Sequence, residues 1–231
     1  MSAGAALAVI PARGGSRRVP RKNIREMHGR PLLAYSVEAA LRSGLFGRVV
    51  LSTDDAEIAE VARAEGADVP FLRSPALADD VTPVSQATID VVERLEGDGE
   101  AYVEVCQLMP NCPLRTADDV VASHRQFTER QADAQISVAR YGWQSPWWAM
   151  RRTSDGAVDP LFPDAMQQRS QDLPELLCPT GAVWWARTDA LRHAGTFHLP
   201  GRTAWEIDWT HAIDIDTEDD WRLADALMGR S

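Results

Sequence analysis

Along the first 130 residues, short unbroken apolar runs alternate with longer stretches in which apolar positions return every third or fourth residue. Ala5–Ile10 is such a run and predicts a strand buried on both faces. After Pro31, residues Leu32, Leu33, Tyr35, Ser36, Ala39 and Ala40 recur at helical spacing, and Ser43-Gly44 marks the stop. Arg48–Thr53 predicts a second strand, Asp54–Glu65 a helix closed by Gly66, and Asp68–Leu72 a third strand. Thr82-Pro83 supplies an N-cap and a first-turn proline for a helix to about Leu95. Tyr102–Met109 predicts a fourth strand, and Thr116 caps a helix running to about Arg130.

The rhythm then changes. Gln135–Tyr141 predicts a strand, but Gly142–Asp172 is rich in Trp, Pro and Asp and holds no long helical pattern. It is expected to form an inserted β-rich arm, approximately residues 142–175. Ala182–Ala186 returns to strand character, His211–Ile215 predicts a short final strand, and Thr217–Met228 a helix capped by Thr217 with acids in its first turn. There is no internal repeat and no low-complexity linker. The alternation implies a single α/β domain spanning 1–231, with a mainly parallel sheet and helices on both faces. Sheets of this kind take their ligands at the carboxyl ends of the strands.

Composition narrows the picture. The 231 residues carry a formal charge of −10, which argues against wrapping nucleic acid or coating anionic membranes. No stretch approaches the roughly 20 apolar residues of a membrane helix, and the opening apolar run is too short for a signal peptide. Cys106, Cys112 and Cys178 lack metal-ligand spacing and read as reduced thiols, so a cytoplasmic location is expected. Tryptophan is concentrated in the second half of the chain.

Against that acidic background one loop stands apart. Immediately after the first predicted strand comes IPARGGSRRVPRKN, residues 10–23, with Arg13, Arg17, Arg18, Arg21 and Lys22 around Gly14-Gly15. Adjacent glycines let a backbone approach a ligand and turn N–H groups toward it. The cations suit charge-assisted hydrogen bonds to several phosphates. The spacing is neither a Walker loop nor GxGxxG, and the competing reading is a solvated basic loop. Near the other end, alternation in HAIDIDT places Asp214 and Asp216 on one face of a strand end. Two such carboxylates repel unless a cation lies between them, which suits Mg²⁺; otherwise Asp216 belongs to the start of the helix and Asp214 to the surface. A polyphosphate loop and a Mg²⁺ site together point to nucleoside triphosphate chemistry.

IPARGGSRRVPRKN, the Ser52-Thr53-Asp54 turn, Leu72-Arg73, Pro113-Leu114-Arg115 and AIDIDTEDDW, in this order, resemble the CMP-sialic acid synthetases, or acylneuraminate cytidylyltransferases. The likeness runs through nearly the whole chain. It implies a three-layer, Rossmann-like nucleotidyltransferase fold, working as a homodimer whose arm reaches over the partner's site. It also implies the reaction: CTP and a 2-keto sugar acid give a CMP-sugar and pyrophosphate. Carried over by position, Arg13, Gly14, Gly15, Ser16, Arg17, Lys22 and Asn23 would hold the triphosphate and cytidine. Arg73 would lie near cytosine, with Ser85 or Thr82 beside it. Asp214 and Asp216 would bind Mg²⁺, and Arg13, Lys22 and Asp216 would carry catalysis. His211 reads as a strand residue rather than a base.

The departures fall around the acceptor. Where the family commonly has Gln-Pro-Thr-Ser-Pro-Leu-Arg, this chain has Met109-Pro110-Asn111-Cys112-Pro113-Leu114-Arg115, and Met109 cannot donate a hydrogen bond. A common Asn-Gly is Thr180-Gly181 here. Arg169-Ser170-Gln171-Asp172-Leu173-Pro174 resembles the pseudaminic-type branch, making Arg169 and Gln171, with Asn111, candidates for binding the acceptor; Arg169 reads equally as a structural ion-pair partner. Trp143, Trp147 and Trp148 read as arm packing and dimer interface. The alternatives are CMP transfer to Kdo or a phosphonate, or a non-catalytic CTP-binding protein.

Overall fold

The computed structural model describes residues 6–79, 81–142 and 144–229. The chain begins with β1 (Ala6–Pro11), then a small hairpin of β2 (Glu26–Met27) and β3 (Arg30–Pro31), α1 (Leu32–Ser43) and β4 (Phe46–Ser52). Next come α2 (Ala56–Ala64), α3 (Val84–Gly97), β5 (Glu104–Gln107), α4 (Ala117–Glu129) and β6 (Ala134–Arg140). An outlying hairpin of β7 (Met150–Arg152) and β8 (Val158–Pro160) precedes β9 (Leu177–Arg187), α5 (Thr188–Ala194), β10 (Thr203–Glu206) and α6 (Glu218–Met228).

Six strands form one sheet in the order β10-β6-β9-β5-β1-β4. β1 pairs in parallel with β4 and β5, and β10 with β6, while β9 runs antiparallel to both its neighbours. The sheet is therefore mainly parallel. Alternation along β1 explains the three layers. Ala6, Ala8 and Ile10 join the core formed with α1, α2 and α4, whereas Leu7 and Val9 join the core formed with α3 and α5. All of these β1 side chains are essentially shut from water, so a continuous apolar run satisfies both faces at once.

A third, smaller core decides where the site lies. Val19 from the basic loop, Met27, Leu32, Ile215, Trp221 and Ala224 pack together, bringing the start of the chain against its end. Burying Val19 and Ile215 completely contributes about 1.5–3 kcal/mol each. Two capping boxes fix neighbouring helix starts: Thr116 with Asp119 on α4, and Thr217 with Asp220 on α6.

Several expectations need correction. Asp68–Leu72 is no strand; only Asp68 makes an isolated bridge, to Val50. His211–Ile215 is not a strand either, because Ile215 N–H donates at 2.9 Å to the Asn111 carbonyl instead of to a sheet neighbour. Thr82 does not cap α3; Pro83 occupies the cap position without a side-chain bond, and the Thr82 N–H goes to Asp79. The strand foreseen at Ala182–Ala186 extends over Leu177–Arg187. Ala5 of the first predicted strand lies outside the described residues.

Between β6 and β9 the chain leaves the sheet at the carboxyl end of β6, the same edge at which β1, β4 and β5 end. This arm holds less strand than anticipated: the β7–β8 hairpin and short 3₁₀ turns at Pro146–Trp148, Pro163–Gln167 and Ser170–Asp172. Proline opens two of those turns, and lacking an N–H it cannot extend a ladder. Trp147 packs edge-on to Phe162 and donates to the Pro174 carbonyl at 2.8 Å, holding the arm together internally. Trp148 is exposed, and Trp143 lies outside the described residues. Among the described residues no helix is long and apolar enough to cross a membrane.

Candidate active site

At the carboxyl edge of β1, β4 and β5 lies an open cleft of about 450 Å³, lined by Pro11, Arg13, Ser16, Arg17, Arg18, Lys22, Asn23, Met109, Pro110, Asn111 and Asp216. A smaller pocket of about 240 Å³ adjoins it and contains Arg73, Leu77, Asp79, Thr82 and Val84. Pro11, Arg13 and Met109 line both, so they form the shared wall. The sequence-predicted loop and the C-terminal acidic segment thus meet in one place.

The loop is held from several sides. Asn23, buried, donates from Nδ2 to the Arg13 carbonyl at 2.9 Å, while its Oδ1 is buried with no hydrogen-bond partner. Arg13 Nη1 donates to the Asp79 carbonyl at 2.9 Å. Arg21 adopts the left-handed conformation, with φ of 54°, which side chains other than glycine resist. Its guanidinium is gripped by Asp55 at 2.5 Å and by Glu57. Gly14 does not point its N–H at the cleft as the paired glycines suggested: that N–H donates to Asp54 Oδ1 at 3.0 Å. Glycine is needed there for space, since a Cβ would stand 2.8 Å from Asp55 Oδ2. A Cβ on Gly15 would meet nothing within 4 Å, leaving that face open.

The acidic segment is tied down as firmly. Lys22 Nζ donates to the Ile215 carbonyl at 2.5 Å and to Asp216 Oδ1 at 3.1 Å, and Arg18 Nη2 donates to Asp216 Oδ2 at 2.6 Å. The α6 capping box reaches back as well, Asp220 accepting the Asp216 N–H at 3.0 Å. Burial works to raise the Asp216 pKa, but Lys22 and Arg18 outweigh it and hold the carboxyl below its ordinary range. Asp214 does not itself line the cleft; it sits beside Asn111 and Gly181, reached by solvent yet crowded by protein. That crowding, then the charge of Asp216, pushes its pKa up to about 6. Asn111 donates from Nδ2 to Asp214 and to the Ile215 carbonyl, so it knits the end of β5 to this segment.

The remaining candidates separate. Arg73 is 5% exposed and faces the smaller pocket, and Thr82 lines it, whereas Ser85 is buried in α3 and does not. Met109 rests against Gly181, where a Cβ would come within 2.7 Å of its Cγ. Arg169 and Gln171 lie exposed on the arm and line neither pocket. His211 sits outside both, its Nδ1 2.9 Å from Asp119 at the start of α4. What the sequence did not show are the partners of two residues it named: Arg18 pairs with Asp216, 198 positions away, and Asp54 accepts the Gly14 N–H.

Among the described residues no three His, Cys, Asp or Glu side chains converge as a complete metal cage. Asp214 and Asp216 still fit a cation that completes its shell with phosphate oxygens and water, the usual manner of Mg²⁺. Burial first and the charge of Asp216 second disfavour the ionised Asp214, and a bound cation would offset both.

Residues 7–144 match the cytidylyltransferase family. The chain is 33% identical over 221 residues to a pseudaminic acid cytidylyltransferase of Campylobacter jejuni, covering 96% of this chain and 95% of that protein. It is 32% identical over 224 residues to a CMP-N,N'-diacetyllegionaminic acid synthase of Legionella pneumophila, with 96% and 95% covered. Among solved structures, a CMP:2-keto-3-deoxy-manno-octonic acid synthetase complexed with CTP superposes with a TM-score of 0.72 over 98% of this chain and 99% of that one, at 17% identity. That last likeness is one of fold.

Proposed function

The chain belongs to the cytidylyltransferase family, and from that premise we propose that it transfers CMP from CTP to the anomeric hydroxyl of a sialic-acid-like nonulosonic acid, releasing pyrophosphate. One observation carries the reading: the basic loop and Asp216 share a single cleft beside the pocket that holds Arg73, with Asp214 held next to that cleft by Asn111. The smaller pocket suits a pyrimidine, the larger cleft a triphosphate and the acceptor.

The acceptor hydroxyl attacks the α-phosphorus while pyrophosphate departs on the opposite side. Arg13, Arg17 and Lys22, with Ser16 and the open face at Gly15, would receive the charge that accumulates on the leaving group. Asp214 and Asp216 would hold Mg²⁺, which when bound offsets phosphate charge and lowers the pKa of the attacking hydroxyl. Lys22 and Arg18 neutralise Asp216, and a bound triphosphate offers them a second anionic partner. Asn111 orients Asp214, and its buried, unpartnered Oδ1 remains able to accept from a ligand.

The relatives are named for pseudaminic and legionaminic acids, and we assign this chain an acceptor of that class. Arg169 and Gln171, out of reach of the cleft on their own chain, suit the acceptor carboxylate of a partner's site in a homodimer. Exposed Trp148, Met150, Leu161, Phe162 and Met166 give the arm an apolar surface for that contact. A cytoplasmic enzyme would draw CTP from its own compartment. A second reading, CMP transfer to another acid such as Kdo or a phosphonate, is favoured by Met109, which brings a thioether to the cleft wall. Competition among these acids for CTP, read as product mass, separates the two. A CMP-nonulosonic acid as main product supports the first reading, and a CMP ester of Kdo or a phosphonate supports the second.

A further inference from the structure

Asp54 follows β4 and precedes α2, where an aspartate ordinarily caps the helix. That task falls instead to Asp55, which accepts the N–H groups of Glu57 and Ile58. Asp54 Oδ1 accepts the Gly14 N–H at 3.0 Å and stands 3.6 Å from Nη2 of Arg73. Arg73 needs such a neighbour. Its Nε and Nη2 are closed to solvent and have no hydrogen-bond partner. Burial pulls its pKa down, the like charge of Arg13 acts the same way, and Asp54, with a smaller contribution from Asp90, opposes them. The Arg73 backbone N–H is fixed nearby, donating to the Thr53 carbonyl at 2.7 Å. Since Arg13 and Arg73 line the same pocket, two like charges share its wall.

We propose that Asp54 is a positioning residue for the nucleotide: through one carboxylate oxygen it sets the backbone of the phosphate loop and the Arg73 guanidinium in register. Base recognition and triphosphate binding are thereby coupled at a residue that touches neither. The proposal rests on the assignment of the smaller pocket to the base.

Calorimetric titration with CTP and UTP, for the full chain and without any acceptor, tests it. Asp54→Asn keeps an acceptor oxygen for Gly14 N–H but removes the counter-charge from Arg73. It is expected to melt close to the parent, to bind CTP about tenfold more weakly, and to lose most of the preference over UTP. In an Arg73→Gln background the same change should alter CTP affinity by less than about twofold, because its partner is gone. Asp54→Glu, which retains the charge, should recover part of the preference. Unchanged affinity and preference in Asp54→Asn, an equal loss with and without Arg73, or a variant that fails to fold would each overturn the positioning role. A parent protein that binds UTP as well as CTP would instead overturn the assignment of the base pocket.

Discussion

The Lys22 ammonium donates to the Asp216 carboxylate at 3.1 Å, joining positions 194 residues apart. It also holds the Ile215 carbonyl, and Arg18 takes the other Asp216 oxygen. One acidic residue thus organises two cations of the loop. The ligand that displaces this arrangement must offer both anionic oxygens for the cations and a cation for the carboxylate, as a metal-bound triphosphate does.

Lys22→Met should therefore lower turnover by about 10²–10³-fold, the usual cost of removing one charge-stabilising donor from a transition state. Steady-state kinetics with saturating acceptor, alongside a circular-dichroism check of the fold, measures it. A loss confined to the CTP KM would place Lys22 in ground-state binding alone.

Asp214 gives a pH signature in the metal-free protein. Its folded pKa lies at about 6, above the ordinary aspartate value of 3.8, so folding favours its protonated form. The associated stability is fully present below about pH 4 and is lost as pH rises through 6. Asp214→Asn removes that dependence while leaving an oxygen for the Asn111 amide. With chelator present, the variant's melting temperature should gain on the parent's between pH 5 and pH 8. Parallel curves would show that Asp214 is unperturbed.

The small core beneath the site should be costly to open. Ile215 is fully buried against Val19, Leu32 and Trp221. Ile215→Ala is expected to destabilise by about 2–5 kcal/mol in denaturant titration. Because Ile215 lies between the two carboxylates, CTP affinity should fall with it. A change under about 0.5 kcal/mol would mean that the two chain ends are not joined by packing.

Gly14→Ala forces Asp55 aside, and Asp55 both caps α2 and grips Arg21. Overpacking of this kind costs about 1–3 kcal/mol. The loop should lose CTP affinity together with stability, in contrast to Gly15→Ala, whose Cβ meets open space. Equal behaviour of the two variants in thermal melts and CTP titration would contradict the packing argument.

Much of this was legible locally. The apolar run of β1, the spacing of α1 up to Gly44, and the capping residues Thr116 and Thr217 are decided by neighbours in sequence, and they appear where expected. The loop's charge and the Asp-x-Asp pair were visible for the same reason. What escaped depends on distant partners. His211–Ile215 alternates like a strand, but the His211 and Ala212 N–H groups close a turn on Asp208, and the Ile215 N–H and carbonyl are taken by Asn111. Gly14 looked like a ligand-facing glycine because nothing nearby in sequence announces that Asp54 and Asp55 fold against it. Helix α5 and strand β10 are short, and β10 holds its place by parallel pairing with β6, a contact far away along the chain.

The most direct test of the account is the initial rate of pyrophosphate release from CTP with Mg²⁺, with and without pseudaminic or legionaminic acids. The account predicts release that requires the acceptor, prefers CTP over UTP, and falls by orders of magnitude in Asp216→Asn. Release that ignores the acceptor, or none with any nonulosonic acid, would contradict it.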